Sequence, residues 1–239
     1  TPSSSSAASD VYKRQLEHTG ESTSPAAMTM ADPQFDGVYG PFTITASDRA
    51  EVQRYRFCLL ISGIAMTAGL LHWWLIGSQW AWVWLMPLCI GLGLALQWIH
   101  IYLRPLHQAL QLFWLMGCLG WLVLMWKVSP GQALHTLGLH PLWILAVGPL
   151  FAALTGIGFK EFFCFRRPEA VGLTLLLPIA LLGRLTGLVG TSSCMGLMLI
   201  AALLLLVLSM RKFGMDAAAD VGDKSVFAYL DAQRQVANP

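Results

Sequence analysis

Ser192–Met210 reads SSCMGLMLIAALLLLVLSM, a run with no charged side chain. As a helix rising 1.5 Å per residue it covers close to the roughly 30 Å hydrocarbon core of a bilayer. A strand is excluded, because the run is too long and its apolar residues do not alternate. A helix satisfies its own backbone in lipid, where water cannot. Five further runs upstream meet the same test: Phe57–Ile76, Trp82–Leu103, His107–Trp126, Leu139–Phe159 and Ala170–Val189. The expected fold is all-α, a polytopic membrane helix bundle of about six transmembrane helices.

Composition agrees. The chain has 239 residues, 56% of them hydrophobic and only 12% charged. Average domains carry roughly 25% charged residues, so an ordinary soluble domain and a disordered chain are both excluded. Between Phe57 and Met210 the charges are Arg104, Lys127, Lys160, Glu161, Arg166, Arg167, Glu169 and Arg184. The formal net charge of +2 offers no case for nucleic acid as a partner. The five Cys are scattered, with no Cys-x-x-Cys spacing, and read as small apolar side chains instead of a disulfide or zinc framework.

Basic residues set the expected orientation. With the N-terminus inside, the inner flanks hold Arg49, Arg54, Arg56, Arg104, Lys160, Arg166, Arg167, Arg211 and Lys212. The outer loops hold Lys127, with Arg184 near an outer helix end. Positive charge favours the cytoplasmic side, so both N-terminus and C-terminus are expected there. Trp73, Trp74, Trp80, Trp82, Trp84, Trp126 and Trp143 all fall near the outer ends, where indole rings anchor at the interface.

Four segments follow. Asp10–Gln15 reads DVYKRQ and matches the in-frame translation of a sequencing adapter, so residues 1–27 are taken as non-native leader. Residues 28–56 form a cytoplasmic segment with an amphipathic helix, which the Thr45-Ala46-Ser47-Asp48 capping box starts. Residues 57–210 are the transmembrane domain. Residues 211–239 are a cytoplasmic tail with a short helix, its apolar stripe placed on Val226, Phe227, Leu230 and Val236 or Ala237.

Pro105 and Pro168 sit where a helix begins, and each pushes the preceding Arg104 or Arg167 out of α conformation. Pro87, Pro149 and Pro178 fall inside spans and imply kinks. Ile99–Pro105 and Phe162–Pro168 share an aromatic, a basic residue and a proline at matching offsets. They read as a faint duplicated unit, or simply as two tight turns with the same needs.

The candidate anion or partner site is the turn after the fourth span: Lys160, Glu161, Arg166, Arg167 and Glu169. Three basic groups against two acids, among aromatic residues, suit a lipid phosphate or an acidic partner at the interface. The plainer reading is a topological stop with local ion pairs. His100, Arg104 and His107 are further candidates. Two interfacial histidines can ligate a metal or haem, but they read more simply as hydrogen-bonded interface residues. Arg184 is a charge within a span, functional by default or snorkelling to the nearby end. Gly183 and Gly187 frame it in a Gly-x-x-x-Gly spacing that suggests close helix packing within the bundle or between copies. A homo-oligomer is therefore compatible with the sequence without being indicated. No nucleotide-binding, nucleophile-elbow or zinc-protease motif occurs, and no carboxylate lies between Phe57 and Phe159. Nothing nominates a catalytic base, a metal ligand set or a cofactor, so the expectation leans against an enzyme.

Gly37–Thr45 (GVYGPFTIT), Gln97–His107 (QWIHIYLRPLH) and the region from Phe151 to Pro178 resemble an uncharacterised family of cyanobacterial integral membrane proteins. The resemblance spans roughly residues 37–230. It implies a plasma or thylakoid membrane and a photosynthetic host. It implies no activity and carries no site residues.

Overall fold

A computed structural model describes residues 32–237, which leaves the adapter-like residues 1–27 outside the described residues. The chain divides into two units. One joins residues 32–48 with residues 221–237; the other runs from Arg49 to Asp220.

The first unit holds the only departure from an all-helical chain among the described residues. β1 (Gln34–Gly37) and β2 (Gly40–Thr43) form an antiparallel hairpin, with Phe35 opposite Phe42 and Gly37 opposite Gly40. Val38 and Tyr39 make the turn. Gly40 follows at φ 132°, a conformation that a Cβ would disfavour. The backbone N–H of Val38 donates to Asp223 Oδ2 at 2.7 Å, and that of Tyr39 to Ser225 Oγ at 3.0 Å. The Tyr39 ring stacks on Tyr229 with centroids 4.1 Å apart. Burial works to raise the Asp223 pKa, but hydrogen bonds from Ser225 and Val38 outweigh it and hold the carboxyl below its ordinary value. The C-terminal helix thus pairs with the hairpin. Of its expected stripe, the side chains of Phe227, Val236 and Ala237 lie outside what the structure describes.

Helix α1 (Ala46–Leu75) begins at the Thr45 capping box. The Thr45 N–H donates to Asp48 Oδ2 at 2.8 Å, and the Asp48 N–H donates to Thr45 Oγ1 at 3.3 Å. Each side chain satisfies a donor that the helix leaves orphaned.

In the second unit a 3₁₀ turn at Ala81–Trp84 leads into α2 (Leu85–Trp98), followed by α3 (Arg104–Val128) and α4 (Pro130–Leu139). A second 3₁₀ turn at Pro141–Trp143 precedes α5 (Ile144–Phe165), α6 (Pro168–Leu185), α7 (Thr191–Lys212) and α8 (Ala217–Val221). The C-terminal helix of the first unit is α9 (Ser225–Ala237). Among the described residues, six helical segments are long and apolar enough to cross a membrane: Ala46–Leu75, Ala81–Trp98, Arg104–Val128, Pro141–Phe165, Pro168–Leu185 and Thr191–Lys212. The protein is a polytopic α-helical membrane bundle.

The second span stops short of the expected Leu103. The chain turns extended at Ile99 (φ −72°, ψ 129°) and stays non-helical to Leu103. His107 explains part of this, because its Nε2 caps the Leu96 carbonyl at 2.6 Å. Arg104 is helical, and Leu103 is the residue in β conformation; Pro105 sits in the first turn, where its missing N–H costs nothing. Arg167 does take the extended conformation (φ −79°, ψ 130°). The two Arg-Pro turns therefore differ: five residues link α2 to α3, but only Arg166 and Arg167 link α5 to α6. A duplicated turn is not what the structure holds. Pro87 lies inside the Ala81–Trp98 span, in the first turn of α2, while Pro149 and Pro178 are inside α5 and α6. Helix α4 has no counterpart among the expected elements; its ten residues fall short of a span.

Packing follows the small residues. On α3 a Cβ on Gly117 or Gly120 would collide with the α5 backbone at Leu150 and Ala146. A Cβ on Gly63 of α1 would meet the Leu206 Cα of α7 at 3.1 Å. Without a hydrophobic drive between helices in lipid, such close approach supplies the contact energy. Gly183 and Gly187 do not play that part. Helix α6 ends at Leu185, and Gly187 turns the chain at φ 78° with open space around it. Leu110, Trp121 and Leu124 of α3 are buried, while Leu112, Leu115, Leu119 and Leu122 are exposed and form the lipid-facing stripe.

Candidate functional site

The turn after the fourth span separates into two ionic clusters and one exposed arginine. Lys160 and Glu161 lie in the last turns of α5, both buried. Glu161 is the hub. Its Oε1 accepts from the Tyr55 hydroxyl at 2.8 Å and from Lys160 Nζ at 3.1 Å; its Oε2 accepts from Lys212 Nζ at 2.7 Å. Lys212 also donates to Asp220 Oδ1. Asp220 Oδ2 in turn accepts from Arg56 Nε at 2.8 Å. Arg56 directs its other two nitrogens to the carbonyls of Met215 and Asp216, at 2.9 and 3.0 Å.

Two aromatic rings line this network. Lys212 Nζ lies 4.7 Å from the Phe165 centroid and 5.3 Å from that of Tyr55; Lys160 lies 5.3 and 5.7 Å from the same two rings. Ring faces stabilise cations at such distances. Arg56, Glu161 and Lys212 are at most 1% exposed. Buried charges of this kind persist only when paired and hydrogen-bonded. The network joins α1, α5, α7 and α8 at the end of the bundle where the first span starts and the fourth and sixth finish.

The second cluster centres on Glu169, buried in the first turn of α6. Its Oε1 accepts from Arg211 Nη1 at 2.9 Å, and Arg167 Nη1 stands 3.6 Å away, too far for a hydrogen bond. Arg167 is largely buried and that nitrogen has no hydrogen-bond partner. Glu169 also opposes the positive end of the α6 dipole.

Arg166 is exposed and closes α5 in the left-handed conformation (φ 50°, ψ 34°), its N–H donating to the Phe162 carbonyl at 2.7 Å. Of the five residues expected to form one site, Lys160 and Glu161 face inward, Glu169 binds a neighbouring helix, and only Arg166 projects fully outward.

The histidines go to separate partners. His107 holds the Leu96 carbonyl, and His100 stands 3.5 Å from Glu51. Arg184 does not snorkel freely: its Nη2 donates to the Gly138 carbonyl at 2.8 Å, and it lines a cavity. Sequence reasoning does not single out Tyr55, Arg56, Arg211, Lys212 or Asp220 as site residues. The basic ones enter it only as orientation signals. Asp220 lies in a polar stretch beyond the last span, where such a residue is usually solvated.

A family model described as an uncharacterised integral membrane protein, DUF2301, matches residues 94–229. The chain belongs to that family. The match begins later than the resemblance at residue 37, so within DUF2301 fall Lys160 to Glu169, Arg184, Lys212 and Asp220, but not Tyr55 or Arg56. No curated protein and no solved structure matches the chain.

Proposed function

We propose that the protein is a non-enzymatic accessory, assembly or scaffolding component of a bacterial plasma or thylakoid membrane, in a photosynthetic host, with both termini cytoplasmic. The supporting observation is that Arg56, Lys160, Glu161, Lys212 and Asp220 satisfy one another inside the bundle. Such a network suits a rigid frame better than a site that exchanges a substrate. Arg166, with Arg167 beside it, is left to offer charge to anionic lipid or to an acidic face of a partner.

The test is affinity purification from native membranes, wild type against Arg166→Gln with Arg167→Gln. Each charge-assisted hydrogen bond removed is worth about 1.5–3 kcal/mol, so recovery of the partner or anionic lipid is expected to fall tenfold or more, in a salt-sensitive way. Equal recovery with a correctly inserted mutant would sink the partner role. The orientation is checked by reporter fusions, expected outside at Gly190 and inside at the C-terminus.

A carrier of a small or lipidic anion is the second reading, favoured by Arg184 in a cavity wall. It needs a path lined by Arg104, Lys160, Arg166 and Arg167 as well, and none of these lines that cavity. A redox or metal role for His100 and His107 finds less support, because the two rings serve different partners.

A further inference from the structure

At the end of the bundle opposite the ionic network, a cavity of about 110 Å³ lies among the spans. One water needs about 10–15 Å³ of such space, so the cavity admits a stretch of alkyl chain. Its wall takes Trp73 from the end of α1, Arg184 from the end of α6 and Thr191 from the start of α7. Deeper in α1 and α7 lie Met66 and Met198, each seven residues from the rim, which at 1.5 Å per residue places them about 10 Å below. Helix α4 contributes Leu134, Leu137 and Gly138.

The lining is apolar except at a few points, and those points include two donors. Among the described residues that line it, Arg184 carries the only charge, and it donates to a backbone carbonyl instead of a carboxylate. Trp121, 3% exposed, also lines the cavity, and its indole N–H has no hydrogen-bond partner among the described residues. An apolar cavity of this kind does not hold water well, because water needs two to four polar partners. A permanent cation near the helix ends, with an apolar recess some two turns deep beneath it, matches a molecule of the same two-part character.

We propose that this cavity binds a single-chain anionic amphiphile, with its carboxylate or phosphate on Arg184 and its alkyl chain in the recess toward Met66, Trp121 and Met198. The site stands apart from the accessory role, since it uses none of the residues at the opposite end of the bundle.

Trp73, Trp84 and Trp121 line the cavity, so a brominated chain entering it quenches their fluorescence. The full-length protein in detergent is titrated with dibromostearate, with its methyl ester and with a brominated alkyl phosphate. Saturable quenching by at least one anion is expected, about tenfold tighter than by the ester, as removal of one charge-assisted hydrogen bond implies. Whichever anion binds more tightly identifies the source of the head group. Arg184→Met is expected to remove the preference for the anion, and Arg184→Lys to retain most of it. If the ester matches both anions on the wild type, or if no quenching saturates, the proposal is overturned. It is equally overturned if Arg184→Met keeps the full preference. Should Arg184→Met fail to fold without its bond to Gly138, the wild-type comparison of anion with ester decides alone.

Discussion

Glu161→Gln destabilises the bundle by about 3–5 kcal/mol, the usual cost of removing one partner from a buried ion pair. The substitution is nearly isosteric, so the loss is electrostatic. Glu161 accepts from Tyr55, Lys160 and Lys212. Without its charge, the cations Arg56, Lys160 and Lys212 are left with Asp220 alone. Tyr55→Phe is the internal comparison. It removes one neutral donor from the same carboxylate and costs about 0.5–1.5 kcal/mol. The two are ranked by thermal unfolding in detergent, followed by size-exclusion recovery. If Glu161→Gln melts no lower than Tyr55→Phe, the network is not what holds α5 to α7. A second comparison separates charge from packing: Lys212→Met alone leaves Glu161 with Lys160, so Glu161→Gln combined with Lys212→Met should cost less than the two single changes added.

Gly120→Ala together with Gly117→Ala is the second large effect. Each methyl lands on the α5 backbone, at Ala146 and at Leu150. Overpacking of this sort costs about 1–3 kcal/mol per site, and backbone is the least able of all neighbours to move aside. Gly196→Ala on α7 has nothing within 4 Å of the added carbon. The same chemical change there removes backbone freedom from the unfolded chain and should stabilise by about 0.5–1 kcal/mol. Opposite signs for one substitution type are the expected result, read as shifts in unfolding temperature. A destabilised Gly196→Ala would mean that its face is covered.

The spans are legible in the sequence because length and lack of charge are local properties, and a run such as Ser192–Met210 has few alternatives in lipid. The ends are less so. Helix α2 stops at Trp98, short of Leu103, for a reason held on His107, eleven residues beyond the Leu96 carbonyl. The site is legible only as composition. Lys160 and Glu161 announce themselves as neighbours, but what decides their role is Lys212, fifty-one residues on from Glu161, and Tyr55, 106 residues back. No periodicity encodes a pairing of that span. The glycines show the same limit. Gly183 and Gly187 have the expected spacing but meet a helix end, while Gly117 and Gly120 carry the close approach. The hairpin at Gln34–Thr43 escapes a reading by pattern because its two strands are only four residues each.

The hairpin also imposes an order on synthesis. Val38 takes its acceptor from Asp223, 185 residues later in the chain. A ribosome must therefore deliver every span to the membrane before the hairpin can find its partners. Until then it is a two-stranded ribbon, marginal on its own in water. Its closure waits on Asp223, Ser225 and Tyr229, and a chain cut off before them leaves that ribbon open to proteases.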